Sequence, residues 1–325
     1  MNDLSHSRGG NARSFMLRAA ELAVKGMGHT RPNPCVGAVV VKDGEIVGEG
    51  WHRKAGGDHA EVAALKKAGA SAKGATVYVT LEPCSRPGRV GACTDALTAA
   101  GVASVVYAVP DPNPKNRGKA KRALAKAGIQ CERFTGEDDV TAQCEALIRA
   151  FRKHVLTGLP YVVVKIAMSL DGRICDDWGD AKWISSANAR RLTGSVLRER
   201  SDAIMVGGET LRRDNPSLLS HGNRNDDLVR VIVSKSGIIP RDAKVFTDGA
   251  PNKTLVFDDA RKALEELGRM GITSVLCEGG LKLATSLAKQ GLVDEWLTVL
   301  APKVIGNGKI SEATQIGEVK CLLDS

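Results

Sequence analysis

Three short stretches constrain this chain more than anything else in it: His59-Ala60-Glu61, Pro83-Cys84 and Cys93. One imidazole and two thiols can hold a zinc ion and leave its fourth tetrahedral position open to water. A carboxylate two residues after the imidazole can shuttle protons between that water and a substrate without binding the metal. Any fold that uses this set must bring distant parts of the chain to one point. The alternative is a structural histidine beside two unrelated core cysteines. The Glu, the Pro and both Cys standing in register argue against it.

This is the H-x-E…P-C…C arrangement of zinc-dependent nucleobase deaminases, in which activated water replaces an amine on an amidine-like ring carbon. Most of that class separates the two cysteines by two residues, whereas here eight intervene, Ser85 to Ala92. The wider spacing argues against a tRNA-adenosine or simple cytidine deaminase. Instead Leu81-Glu82-Pro83-Cys84-Ser85-Arg86-Pro87-Gly88-Arg89-Val90-Gly91-Ala92-Cys93 resembles the bifunctional riboflavin-biosynthesis deaminase–reductase family. The resemblance implies His59, Cys84 and Cys93 as zinc ligands, Glu61 as the proton relay, and Asn33, His52 and Arg89 as contacts to a phosphorylated ribosylaminopyrimidine substrate. Read from the residues alone, Asn33 serves equally as turn scaffolding and His52 as surface packing. Three places depart from the family: Arg86 replaces a common His, Val90-Gly91-Ala92 replaces Thr-Pro-Pro, and Lys115-Asn116-Arg117 replaces a glycine-valine pattern.

Element signals place the motif. Helical spacing runs from Arg13 to Lys25, and Val36–Val41 and Glu45–Gly50 are strands about an Asp43-Gly44 hairpin turn. His59 opens a helix through Lys67, with both reactive residues in its first turn, where the dipole favours an anionic group. Thr76–Leu81 is a β-branched strand delivering Cys84 to the mouth of the sheet. A helix from Thr94, a strand over Ser104–Val109 and a basic helix over Gly118–Ala127 complete an αββαβαβα order. That order is the one expected of a cytidine-deaminase-like three-layer α/β/α domain. A further helix, Asp138–Val155, leads to Thr157-Gly158-Leu159-Pro160. We therefore expect a deaminase domain over 1–150, a linker over 151–160 and a second domain over 161–325.

The second half opens on a continuous apolar strand, Tyr161–Ala167, as expected when both sheet faces are buried. Its Lys165-x-Ala167-x-Ser169-Leu170-Asp171-Gly172 string resembles the reductase half of the same family, whose α/β fold is like dihydrofolate reductase. Further strand-to-glycine junctions at Gly207-Gly208 and Gly279-Gly280 suit dinucleotide phosphates, and no G-x-G-x-x-G is present. The resemblance implies NADPH contacts at Ala167, Trp183, Thr210, Asp214 and the run Gly280, Leu281, Lys282, Leu283, Ala284, Thr285 and Ser286. It implies substrate contacts at Arg198, Leu218 and Glu278. Lys165 is also a candidate substrate contact, and Lys165 and Asp171 are candidates for polarisation or proton transfer. Two positions depart: Ala181 stands in place of a Ser, and His221 in place of an Arg, with Arg224 close by in sequence.

With 325 residues, 43% of them hydrophobic, the chain can bury cores for two domains, and no apolar run approaches the ~20 residues needed to cross a bilayer. Met1 to Asn11 is polar and reads as a frayed tail, and the chain as cytoplasmic. Of the eight cysteines only Cys84 and Cys93 have partners in sequence, which suits free thiols and ligands rather than a disulfide framework. The formal charge of +9 attracts anions, but aromatics are only 4% of residues, leaving few platforms for stacking bases. An anionic metabolite is therefore favoured over nucleic acid, with no membrane partner and a homo-oligomer expected from exposed strand edges. The reading that accounts for most residues is a zinc deaminase and NADPH reductase. The substrate implied by the resemblance is 2,5-diamino-6-(5-phosphoribosylamino)pyrimidin-4(3H)-one. The alternatives are a deaminase with an inactive reductase half, or a nucleic-acid editing or binding protein.

Overall fold

A computed structural model describes residues 5–86, 91–135, 138–179, 184–221, 228–250, 252–309 and 314–315. The chain divides into two compact units, Met1–Gly158 and Leu159–Ser325.

The first unit holds α1 (Ser5–Val24), β1 (Gly37–Lys42), β2 (Glu45–Trp51), α2 (Ala60–Ala68), β3 (Thr76–Leu81), α3 (Cys93–Ala99), β4 (Ser104–Val109), α4 (Lys119–Ala125), β5 (Gln130–Arg133), α5 (Asp138–Leu147) and α6 (Arg149–Thr157). Its sheet runs β2-β1-β3-β4-β5. The β1–β2 hairpin closes on Asp43 (φ 51°) and Gly44 (φ 83°), the positive pair that a two-residue turn matched to strand twist requires. β3, β4 and β5 are parallel, so their C-terminal ends open on one edge. The strands' Val and Ala residues are buried with Met16, Leu22, Leu97 and Leu124 from the helices.

In the first unit the structure differs from the sequence-based elements in three main places. α1 starts at Ser5, inside the expected frayed tail: the stretch is polar but holds no proline to stop a helix. β5 was not expected, because only Cys131 of its four residues is buried and the strand shows no apolar run. The single helix expected over 138–155 is broken at Ile148 (φ −108°, ψ 6°), and α6 continues through Thr157, well into the stretch expected as linker.

The second unit holds β6 (Tyr161–Ser169), α7 (Ala187–Leu192), β7 (Ala203–Gly207), α8 (Gly208–Asp214), β8 (Val229–Val233), α9 (Lys244–Thr247), β9 (Thr254–Phe257), α10 (Ala260–Arg269), β10 (Ser274–Cys277), α11 (Leu281–Lys289), β11 (Glu295–Ala301), β12 (Lys303–Val304) and β13 (Thr314–Gln315). Six strands form one parallel sheet in the order β11-β6-β10-β7-β8-β9. Parallel strands need crossovers, and the helices supply them. Gly207-Gly208, read from sequence as a strand-to-glycine junction, is where β7 passes directly into α8. Asp259 caps α10 by accepting from the Lys262 amide, and Ser186 caps α7 by accepting from the Ala189 amide.

Candidate active sites

His59 is the N-cap of α2, yet its side chain caps nothing in the helix. It turns instead toward sulfur: Nδ1 lies 3.1 Å from Cys93 Sγ and 3.5 Å from Cys84 Sγ. The two sulfurs are 3.3 Å apart, and all three ligand atoms fall within 4.8 Å of one another. Cys84 follows the end of β3, while Cys93 is the first residue of α3, so two helix N-termini and one strand end converge. The Cys93 amide points at Cys84 Sγ, at 3.3 Å. This soft N,S,S set, open on its cleft side, fits a zinc ion that keeps one position for water.

The electrostatics follow from this crowding. Hydrogen bonding from Cys93 and then from His59 draws the Cys84 thiol down to about 4, a thiolate at neutral pH. Cys93 is pushed up, because its proton is held against that thiolate and the site is dry. Hydrogen bonding to Cys84 raises His59. Glu61, only 4% exposed, is raised to about 6, first by burial and then by the Cys84 charge.

A cleft of about 430 Å³ opens over His59, Glu61 and Cys84, lined also by Asn33, His52, Arg86, Asp111, Lys115 and Phe151. That size suits a nucleotide-like ligand. Asn33 Nδ2 lies 3.0 Å from His52 Nε2, and His52 Nδ1 lies 2.9 Å from the Asp58 carbonyl. Only one tautomer satisfies both contacts: Nδ1–H donates to Asp58, and neutral Nε2 accepts from Asn33. Burial lowers the His52 pKa, which keeps the ring neutral. Arg89 lies outside the described residues.

In the second unit, Arg198 and Glu278, both assigned to the substrate from sequence, are paired with each other. Arg198 Nε and Nη2 fork onto Glu278 at 2.6 and 3.1 Å, and Nη1 donates to the Leu219 carbonyl at 2.8 Å. Arg198 follows a π-turn over Thr193–Leu197 that continues α7. Lys165 sits one residue beyond Val164 on β6, opposite the Cys277-Glu278 junction of β10. Burial lowers its pKa, with the Glu278 charge opposing that shift. Asp171 sits outside this cluster, accepting from the Ile305 and Gly306 amides at 3.2 and 2.8 Å.

The residues assigned to NADPH fall on β6 (Ala167), on α8 (Thr210, Asp214) and at the start of α11. A Cβ added to Gly280 would lie 3.9 Å from Thr210 Oγ1, so the two helix starts face one another. Gly280, Leu281, Lys282, Thr285 and Ser286 are exposed, whereas Leu283 and Ala284 are buried against the sheet. The Leu218 side chain is in the core with Ile204 and Leu211, on a backbone at φ 55°. His221 packs on Gly194. Trp183, Ala181 and Arg224 lie outside the described residues.

Comparison with known proteins settles the family. Residues 10–109 match the cytidine and deoxycytidylate deaminase zinc-binding region, and residues 160–321 match the RibD C-terminal domain. The chain is 38% identical over 328 residues to riboflavin biosynthesis protein RibD of Escherichia coli, covering 90% of this chain and 88% of that one. It belongs to the RibD family.

Solved RibD structures superpose on both units. Acinetobacter baumannii RibD matches with a TM-score of 0.82 at 34% identity, covering 97% of this chain and 93% of that one. The Thermotoga maritima diaminohydroxyphosphoribosylaminopyrimidine deaminase/5-amino-6-(5-phosphoribosylamino)uracil reductase also gives 0.82, at 33% identity over 93% and 90%. As a RibD protein the chain is a bifunctional enzyme with a zinc-binding deaminase domain and an NADPH-using reductase domain. No helix among the described residues is long and apolar enough to cross a membrane.

Sequence reasoning missed one set of residues at this RibD site. Glu82, Asp111 and Asn116 are buried beside Cys84 and bonded to one another's loops. Glu82 stood in the family-like stretch and Asn116 in a departure from the family's pattern, but neither residue type signals a role in packing around Cys84.

Proposed function

We propose that this chain deaminates 2,5-diamino-6-(5-phosphoribosylamino)pyrimidin-4(3H)-one and then reduces the ribosyl group to ribityl. The observation that supports this reading best is buried Glu61 beside the His59, Cys84 and Cys93 cluster at the floor of a nucleotide-sized cleft. His59, Cys84 and Cys93 would hold zinc, which when bound supplies a Lewis acid that makes water a nucleophile near neutral pH.

The protein's own groups do the rest. Glu61, raised to about 6, sits within reach of neutral pH for both taking and returning a proton. It takes one from the attacking water and gives one to the departing amine. Neutral His52 and Asn33 line the cleft as a coupled pair and orient the pyrimidine edge. Arg86 lines the cleft and faces the ribose phosphate, and the resemblance assigns Arg89 to the same substrate. In the reductase half, the faces of α8 and α11 would hold NADPH, which when bound would supply hydride. The Arg198–Glu278 pair and Lys165 orient the sugar, with Lys165 donating to the heteroatom of the bond whose carbon accepts hydride. A cytoplasmic homo-oligomer completes the reading: edge strand β11 carries exposed Trp296 and Leu300, and the described cysteines are free thiols.

Mass spectrometry of the product, with and without NADPH, tests the proposal. Exchange of one amino group for oxygen without NADPH, followed by gain of two hydrogens with it, is the expected result. Deamination with no NADPH oxidation would leave a deaminase alone, and no deamination would remove the proposal.

A further inference from the structure

Asn116 is 6% exposed and stands in the loop between β4 and α4, where the chain departs from the family's glycine-valine pattern. Its Oδ1 accepts from the Ser85 amide at 2.8 Å and from the Ser85 hydroxyl at 3.0 Å. Its Nδ2 donates to Asp111 Oδ2 at 2.8 Å and to the Pro83 carbonyl at 3.4 Å. An asparagine amide has two acceptor and two donor positions, and here all four are used. Ser85 on the oxygen side and Pro83 on the nitrogen side are the residues immediately after and before Cys84.

Asp111 is tied in turn. Its Oδ1 accepts from the Asn113 amide at 2.8 Å, and its own amide donates to Glu82 Oε2 at 3.1 Å. Glu82 Oε1 accepts from the Ala120 amide at 3.4 Å. The Asn116 amide thus ties the end of β3 to the loop after β4, and the Glu82 carboxylate extends the tie to the start of α4.

We infer that Asn116 is a positioning residue of this chain's deaminase site, clamping Pro83 and Ser85 so that Cys84 Sγ is held in place for the ion. Aspartate cannot substitute, since it has no donor for Asp111 or for Pro83 and adds a negative charge beside a carboxylate. An apolar residue leaves the Ser85 amide and the Asp111 carboxylate without their partner in a dry site, which is costly. Groups that orient metal ligands typically change metal affinity 10–100-fold when lost. The inference rests on Cys84 being a zinc ligand, as proposed above.

The test compares wild type with Asn116→Val and Ser85→Ala by timed removal of zinc with a chelator, and by deaminase kinetics. Asn116→Val is expected to lose zinc about 10-fold faster and to lower deaminase kcat more than it raises KM. Ser85→Ala removes only the hydroxyl contact, and an effect in the same direction but smaller is expected. It remains informative if the valine variant does not fold. Reductase turnover of both variants should equal wild type. Wild-type rates of zinc loss and an unchanged kcat in the folded variants would overturn the inference while leaving the zinc site standing. A wild-type protein that binds no zinc would overturn the site reading itself, and the inference with it.

Discussion

Glu61 combines a dry location with a nearby thiolate, and both push its carboxyl toward neutrality. Glu61→Gln preserves volume and ligand count but cannot carry the proton. Zinc content by metal analysis should be unchanged, and deamination should fall roughly a hundred- to ten-thousand-fold. The pH dependence has a definite sign. Only the carboxylate form takes a proton, so the rate falls as pH drops through the Glu61 pKa. Burial puts that value at about 6, and a bound dication moves it lower. The acid limb of kcat/KM is therefore expected at or below pH 6, and a limb above pH 7 would contradict this. Legibility at this scale was uneven. His59, Glu61, Cys84 and Cys93 could be read because metal chemistry demands their types and spacing. The Arg198–Glu278 fork could not, because nothing local links residues 80 positions apart.

The elements that were readable are those whose own residues carry the pattern. β3 is a β-branched run, the β1–β2 hairpin has its Asp43-Gly44 turn, and α11 starts after paired glycines. β5 and the break at Ile148 depend on neighbours instead, β5 pairing with β4 along its whole length. The stretch between Leu219 and Thr273, which supplies β8, α9, β9 and α10, has no element assigned from sequence. Glycine at position 50 shows how an element can position a site at a distance. A Cβ there would meet the Ala60 carbonyl oxygen and the Ala64 nitrogen of α2, both at 2.4 Å. α2 rests directly on β2, which places His59 and Glu61 opposite Cys84. Gly50→Ala must push that helix off the strand. The expected cost is about 1–3 kcal/mol by denaturant unfolding, together with weaker zinc retention. Unchanged zinc content and stability would show that the contact is not decisive.

At the scale of the whole molecule, each unit has its own sheet and its own core. Damage to one chemistry should therefore leave the other intact. Lys165→Met removes a desolvated ammonium from the second unit and should abolish reduction while deamination proceeds. A mixture of Lys165→Met and Glu61→Gln proteins should complete both steps, each supplying what the other lacks. Either variant alone should form final product at about 1% of wild type or less. Failure of the mixture would mean that the intermediate does not pass between chains. Finally, the 3.3 Å between the Cys84 and Cys93 sulfurs, one of them a thiolate, makes an empty site perishable. Oxidants can weld that pair into a disulfide, after which no ion can enter until a reductant reopens it. Because one polypeptide carries both reactions, such a seal would starve the second half of its substrate while leaving its fold untouched.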